Sequence, residues 1–291
     1  MPYSRLAHPS ATIEVLKRHG LYTRKALGQH FLVDDNIVGR IIQTAQLERG
    51  EPVLEVGPGI GTLTDALLNA GARVVAVEYD TRLLPALDEL RGESRELHVV
   101  SGDAVRIPVQ ELLTSAGPPT ALVANLPYAV AATVILRFFE ELPSIEHAVV
   151  MVQAEVADRI AAAPGTKAYG AYTVKLALRA RVRTRFPVAP GCFLPPPRVE
   201  SAVVRLQRSD LGLAPVLAAA AARAADAAFS QRRKTLRKSL SAGLRRSVSD
   251  VERLLDAAGV DGGLRAENLT IDEYISLGRV LGQDGQDSPI G

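Results

Sequence analysis

Between Pro52 and Arg208, short β-branched runs alternate with helix-like stretches, and this alternation constrains the fold more than any single motif. Strands separated by helices must cross over and run parallel, which covers both faces of the sheet and makes each strand a nearly continuous apolar run. The pattern predicts strands over 53–56, 73–77, 97–100, 121–124 and 148–152, each followed by a turn and helical sequence. Two later strands, 181–188 and 201–207, are joined by a segment carrying Pro190, Pro195, Pro196 and Pro197, too proline-rich for a crossover helix. They should pair antiparallel at one edge. Ligands of such a sheet bind beyond the carboxyl ends of its strands.

On either side of this region the character changes. After Leu211 the sequence is alanine-rich and helix-periodic, so 210–281 is read as a small helical domain and 282–291 as a polar tail. Residues 1–50 form an N-terminal helical and basic segment, with a helix over 12–19, a basic stretch from Arg24 to Gly28 and a further helix from Asp35. The central domain then spans 51–209. A chain of 291 residues suits one sizeable domain with a smaller appendage.

No apolar run reaches the ~18 residues that span a bilayer, and the N-terminus lacks a signal-peptide layout. The expectation is a soluble, cytoplasmic protein. A lone Cys192 excludes an internal disulfide framework, and no His/Cys cluster has metal-ligand spacing, so no metal is expected. Net charge is only +2, yet residues 175–246 carry 16 Lys/Arg against 3 Asp/Glu, while both flanks are acidic. A surplus of one sign in one stretch points to a polyanion, and a phosphate backbone is the usual one; a solvated helix surface is the plainer alternative.

Three strand ends in succession carry polar groups suited to a nucleoside. Gly57-Pro58-Gly59-Ile60-Gly61 turns the first strand into the first helix, where missing Cβ atoms let backbone approach a ligand. A dinucleotide enzyme would show a similar turn. Glu78, 21 residues past Gly57, is placed to accept both hydroxyls of a ribose. Asp103, after the third strand, offers an acceptor for an adenine amine. Each acid taken alone could equally be a helix cap.

The fourth strand end separates methyl transfer from hydride transfer. In Asn125-Leu126-Pro127-Tyr128 an amide sits beside an aromatic ring. The Asn125 side-chain oxygen and a backbone carbonyl of the Leu126-Pro127 turn can accept the two N–H groups of an exocyclic amine, and Tyr128 can stack on the base. A simple type I turn is the alternative. Hydride transfer gives no reason to grip an amine, whereas methylation of nitrogen requires that nitrogen to be aimed.

The seven-strand pattern is similar to that of class I (Rossmann-like) methyltransferases, and the motifs narrow the likeness. Arg24-Lys25-Ala26-Leu27-Gly28-Gln29-His30-Phe31-Leu32, Leu54-Glu55-Val56-Gly57-Pro58-Gly59, Asn125-Leu126-Pro127-Tyr128, Gln153-Ala154-Glu155-Val156-Ala157-Asp158-Arg159, Phe193-Leu194-Pro195-Pro196-Pro197-Arg198-Val199-Glu200-Ser201 and Gln231-Arg232-Arg233-Lys234-Thr235-Leu236-Arg237 together resemble the small-subunit ribosomal RNA adenine N6,N6-dimethyltransferases. The resemblance covers about 22–280. It implies S-adenosyl-L-methionine as methyl donor and, as substrate, two adjacent adenines in the 3'-terminal hairpin loop of 16S rRNA, within the 30S subunit or its precursor. By the same resemblance, cofactor contacts fall on His30, Leu32, Gly57, Glu78, Asp103 and Asn125. His30 departs from the family, in which many members have Asn.

Asn125, Leu126, Pro127 and Tyr128 are expected to form the catalytic corner. Phe193 is expected as a second wall that sandwiches a flipped-out base against Tyr128, with core packing as the alternative. Arg232, Arg233, Lys234, Arg237 and Lys238 fall at helical spacings and are expected to meet RNA phosphates from one side of a helix. A monomer is expected. Two rival readings stand beside this one. The first is a methyltransferase that modifies large-subunit 23S RNA and confers resistance; the second is a non-catalytic RNA-binding assembly factor.

Overall fold

A computed structural model describes residues 2–21, 29–113, 117–209 and 211–284. The predicted basic stretch from Arg24 to Gly28, and most of the predicted tail, lie outside the described residues. In chain order the elements are α1 (Pro9–Arg18), β1 (Phe31–Leu32), α2 (Asp35–Ala45), β2 (Pro52–Val56), α3 (Thr62–Asn69), β3 (Arg73–Glu78), α4 (Leu84–Glu93), β4 (Leu97–Ser101), β5 (Ala121–Asn125), α5 (Ala131–Glu141) and β6 (His147–Gln153). They continue with α6 (Ala154–Ile160), α7 (Ala171–Ala177), β7 (Ala180–Val188), β8 (Phe193–Leu194), β9 (Ser201–Arg208), α8 (Pro215–Ala228), α9 (Leu236–Leu244), α10 (Val248–Ala258) and α11 (Ile271–Asp284).

The chain divides into two compact units, one of residues 1–157 with 182–208 and one of residues 158–181 with 209–291. In the first, seven strands run in the order β4-β3-β2-β5-β6-β9-β7. Parallel pairing joins β4 to β3, β3 to β2, β2 to β5 and β5 to β6, and β9 then pairs antiparallel with β6, Gln153 facing Ser201. This is the doubly wound sheet expected from the alternation, with strand limits within two residues of those predicted. Strand order reverses on either side of β2, which opens a crevice at its carboxyl end.

Local chemistry explains the elements around that crevice. Helix α2 starts where Asp34 accepts the N–H groups of Asn36 at 2.9 Å and Ile37 at 3.3 Å, and its Ile37, Val38 and Ile41 are buried in the core. That core also takes Leu63 and Leu67 of α3 and Val53, Val123, Val149 and Val203 from the sheet. Each such side chain contributes about 1.5–3 kcal/mol on burial. Helix α1 begins at Pro9, earlier than expected, because proline's fixed φ suits the first helical position.

The second unit is helical, but its limits differ from the predicted 210–281. Residues 158–181, placed by sequence in the sheet domain, fold with it: Tyr169 is buried in the helical core and its hydroxyl donates to Leu269 O at 2.9 Å. Proximity in sequence to strands hid this. The alanines of α8 serve close packing, since a Cβ at Gly278 of α11 would lie 2.6 Å from Ala221 N and one at Gly243 of α9 2.5 Å from the Ala227 Cα. Larger side chains would hold these backbones apart.

Candidate active site

The crevice is a cavity of about 530 Å³. At its floor Gly57 has φ +69° and donates its N–H to Val77 O at 2.9 Å, and a Cβ there would press on the Pro127 ring at 3.1 Å. Glycine at this turn therefore brings the first loop against the Asn125 corner. Gly59, at φ +65°, donates its N–H to Glu78 at 3.1 Å. The glycine turn and the second strand end are thus one hydrogen-bonded unit.

Glu78 is buried, and burial raises its pKa above the usual carboxylate range. Its Oε1 accepts the Asp80 N–H at 2.7 Å and its Oε2 accepts that of Gly59, and the Tyr79 backbone also bonds this carboxyl. Asp80 is tied to Arg82 and accepts from the Gln29 amide at 2.8 Å; the Arg82 guanidinium holds its carboxyl below the usual range. Asp103 is 38% exposed at the side chain; its Oδ1 accepts the Val105 N–H at 2.9 Å in a tight Asx turn, and its Oδ2 lies 3.8 Å from the Arg106 guanidinium.

Glu55 is the least expected group in the cavity wall. It is 1% exposed, and its Oε2 accepts the Thr64 hydroxyl at 2.6 Å. Desolvation, partly offset by that hydrogen bond and reinforced by the charge of Glu78, pushes its pKa up to about 8.

The fourth strand end is built by side chains from distant parts of the sequence. The Asn125 Nδ2 donates to His30 O at 3.4 Å; a carbonyl can only accept, so the amide oxygen is the atom left for a ligand. Leu126 N–H donates to Met151 O at 3.1 Å and Val130 N–H to Pro127 O at 3.1 Å, which fix the turn. His30 packs its ring on Tyr128, centroids 5.8 Å apart, and its Nδ1–H donates to Pro195 O at 2.7 Å. The Tyr128 hydroxyl shares a 2.7 Å hydrogen bond with that of Ser201, and burial raises its pKa. A two-stranded antiparallel sheet, Phe31 opposite Leu194 and Leu32 opposite Phe193, brings the His30 segment and the proline loop together.

All six residues expected at a cofactor, His30, Leu32, Gly57, Glu78, Asp103 and Asn125, line this one cavity, as do Leu126, Pro127 and Tyr128. Phe193 does not. It is 2% exposed and packs in the main apolar core, so the expected second wall is a core side chain instead. Pairing of β8 with β1 turns it inward, and it is His30 whose ring meets Tyr128.

The basic cluster is also redistributed. Helix α9 begins at Leu236, so Arg232, Arg233 and Lys234 precede it and share no helical face with Arg237 and Lys238. Arg232 bonds the Glu267 carboxylate and the carbonyls of Lys167 and Tyr169, and Arg237 pairs with Glu252 at 2.9 Å. Arg233, Lys234 and Lys238 are exposed and make no ion pair among the described residues. Within their unit they are among the basic groups left for a partner.

Sequence reasoning missed Glu55 as a cavity group, the Gln29–Asp80 bond and the Ser201 hydroxyl. Glu55 looked like part of a strand, and a two-residue sheet such as β1 with β8 leaves no periodic signal.

Residues 20–282 match the ribosomal RNA adenine dimethylase family. The chain is 43% identical over 263 residues to the Ribosomal RNA small subunit methyltransferase A of Paenarthrobacter aurescens (strain TC1), covering 89% of this chain and 88% of that one. Among solved structures it is similar to the 23S rRNA methyltransferase ErmE, with 30% identity, TM-score 0.63 and coverage of 86% of this chain and 99% of that one. It is also similar in fold to a dimethyladenosine transferase from Plasmodium falciparum, with 24% identity, TM-score 0.71 and coverage of 85% and 96%.

Proposed function

The chain belongs to the ribosomal RNA adenine dimethylase family, and from that we propose that it transfers methyl groups from S-adenosyl-L-methionine to the N6 amines of two adjacent adenines in the 3'-terminal hairpin loop of 16S rRNA. The observation that carries this reading is the convergence of the glycine turn, Glu78, Asp103, Asn125 and Tyr128 on one cavity. The substrate is the 30S subunit or its precursor, met by a cytoplasmic monomer; no helix among the described residues is long and apolar enough to cross a membrane.

The residues fit the cofactor. Glu78 presents a carboxyl that can accept from the ribose hydroxyls, Asp103 Oδ2, 3.8 Å from Arg106, can accept from the adenine amine, and a Cβ at Gly57 or Gly59 would fill the space beside the turn. Leu32 and the His30 backbone wall the same space. When bound, S-adenosyl-L-methionine supplies a methyl on a positively charged sulfur.

The protein's own contribution is to aim the acceptor nitrogen. The lone pair of an adenine amine is delocalised into its ring, so positioning supplies much of the catalysis. Asn125 Oδ1 accepts one N–H, and a backbone carbonyl of the Leu126-Pro127 turn accepts the other. Those two acceptors favour a pyramidal nitrogen whose lone pair points along one line. Tyr128, its hydroxyl held by Ser201, supplies the stacking face for an extruded base. After one transfer the amine retains an N–H, which allows a second.

The large-subunit reading has a specific observation behind it, the likeness to ErmE, but identity is higher to the small-subunit enzyme at 43% than to ErmE at 30%. The test is incubation of the full chain with labelled cofactor and undermethylated small or large subunits, followed by mass-spectrometric mapping. Dimethylated adjacent adenines in 16S RNA are expected. Label confined to 23S RNA would select the rival, and RNA binding without transfer would select the non-enzymatic assembly factor.

A further inference from the structure

The side chain of His30 does work in the cavity that its backbone position alone does not account for. Strands β1 and β8 pair antiparallel, Phe31 opposite Leu194 and Leu32 opposite Phe193. Continued by one step, that register sets His30 opposite Pro195. Proline has no N–H to give, so the backbone ladder cannot be completed there. The side chain takes over: His30 Nδ1–H donates to Pro195 O at 2.7 Å, since a carbonyl can only accept. An imidazole thus closes the small sheet where the backbone stops, and it ties the proline loop to the segment that enters the active site.

Fixing this ring fixes what it touches. It packs on the Tyr128 ring with centroids 5.8 Å apart and planes 27° from parallel, the spacing of two rings in direct contact. The far end of Tyr128 is held separately, its hydroxyl bonded at 2.7 Å to that of the buried Ser201 at the start of β9. Ring face and hydroxyl are therefore restrained from different segments of the chain. The anchored His30 backbone adds a third point, because its carbonyl accepts the Asn125 Nδ2–H at 3.4 Å and so leaves the amide oxygen for a ligand. Among the described residues the imidazole bonds none of Glu78, Asp80 and Asp103, the acids of the cavity's other strand ends.

We infer that the His30 imidazole is a positioning residue for the methyl acceptor, holding the Tyr128 ring directly and the Asn125 amide through the segment it anchors. The inference rests on the proposed methyl transfer and places this side chain on the acceptor side of the cavity, while the His30 backbone walls the cofactor space. A ring and an amide held before the base arrives spare part of the orientational freedom that docking would otherwise have to remove.

The test uses the full chain, labelled cofactor and undermethylated small subunits, with kcat, KM for the subunits and cofactor affinity measured separately. His30→Ala is expected to lower kcat by about 10–10²-fold, the scale of a misplaced reacting group, with cofactor affinity unchanged. Two further variants divide the effect. His30→Asn keeps a donor for Pro195 O and loses the ring, whereas His30→Phe keeps a ring for Tyr128 and loses the donor. Each should recover part of what His30→Ala loses, and thermal unfolding checks that all are folded. Should His30→Ala fold poorly, the other two decide against the wild type, and wild-type kcat in both overturns the inference. Unchanged kcat in a folded His30→Ala overturns it as well. So does a loss of cofactor affinity that matches the loss of kcat, which would assign the imidazole to the cofactor, and so does a fall that neither Asn nor Phe recovers. Absence of transfer by the wild-type chain removes the function and this role with it, whereas transfer by the wild type with kcat intact in the variants removes the role and leaves the function.

Discussion

The crevice of the sheet unit and the surface of the helical unit handle charge in opposite ways. In the crevice two carboxyls, Glu55 and Glu78, are buried without a cation, and burial raises both pKa values. In the helical unit Arg232 is satisfied by a carboxylate and two carbonyls, and Arg237 by Glu252. One region keeps acid groups where a hydrogen-bond-donating ligand can reach them; the other spends its charges on tying its own loops and helices at the surface. Buried carboxyls with perturbed pKa values in a cleft are a mark of a functional site.

Breaking the crevice side of this contrast should have the largest effect. Asn125→Ala removes the acceptor that aims the amine, and kcat is expected to fall by about 10²–10³, the scale of losing one oriented polar group at a reacting centre. Cofactor affinity, measured by calorimetry, should change little, because Glu78, Asp103 and the glycine turn remain. Undiminished turnover would remove Asn125 from the mechanism.

Next in size is a pH effect. Glu55 takes up its proton near pH 8 in the folded protein and near the ordinary carboxylate value when unfolded. The folded state thus binds more protons between those values, so stability is greatest below about pH 4.3 and is lost as pH rises through about 8. At about 1.4 kcal/mol per unit this amounts to a few kcal/mol. Glu55→Gln should flatten the fall in denaturant midpoint between pH 5 and 8, leaving the smaller contribution of Glu78 in the same direction. An identical pH profile in the variant would show that Glu55 is ionised throughout.

The contrast also explains what the sequence could reveal. Parallel strands buried on both faces leave apolar runs, and the glycine, Glu78, Asp103 and Asn125 positions at their ends were readable because a doubly wound sheet puts successive strand ends in one crevice. Phe193 was misplaced because its orientation depends on two-residue pairing with β1, Phe31 facing Leu194 and Leu32 facing Phe193, a contact between distant segments of the chain that no local pattern encodes. The place of Arg232 outside the helix was not legible for a related reason. Its partners Glu267, Lys167 and Tyr169 are distant in sequence, and spacing alone reports which side chains share a helix face only where a helix exists. Residues 158–181 looked like part of the sheet domain because they lie between strands, yet burial of Tyr169 decides their membership.

The smallest effects separate two neighbouring arginines. Arg232→Ala should destabilise the helical unit by about 1–2 kcal/mol, since a charged donor to Glu267 and two carbonyls is lost, discounted for its partial exposure. Arg233→Ala touches no such network and should leave thermal stability unchanged, while the salt dependence of RNA binding falls by about 0.7–0.9 in slope if one phosphate contact is lost. Comparing the pair in the same assays sharpens the difference between a charge that builds the unit and one that faces a partner. Equal losses of stability in both variants would place Arg233 in the internal network too. A shallower salt slope for Arg232→Ala than for Arg233→Ala, with both proteins folded, would reverse the assignment, because it would mean that the guanidinium bound to Glu267 leaves that partner for RNA.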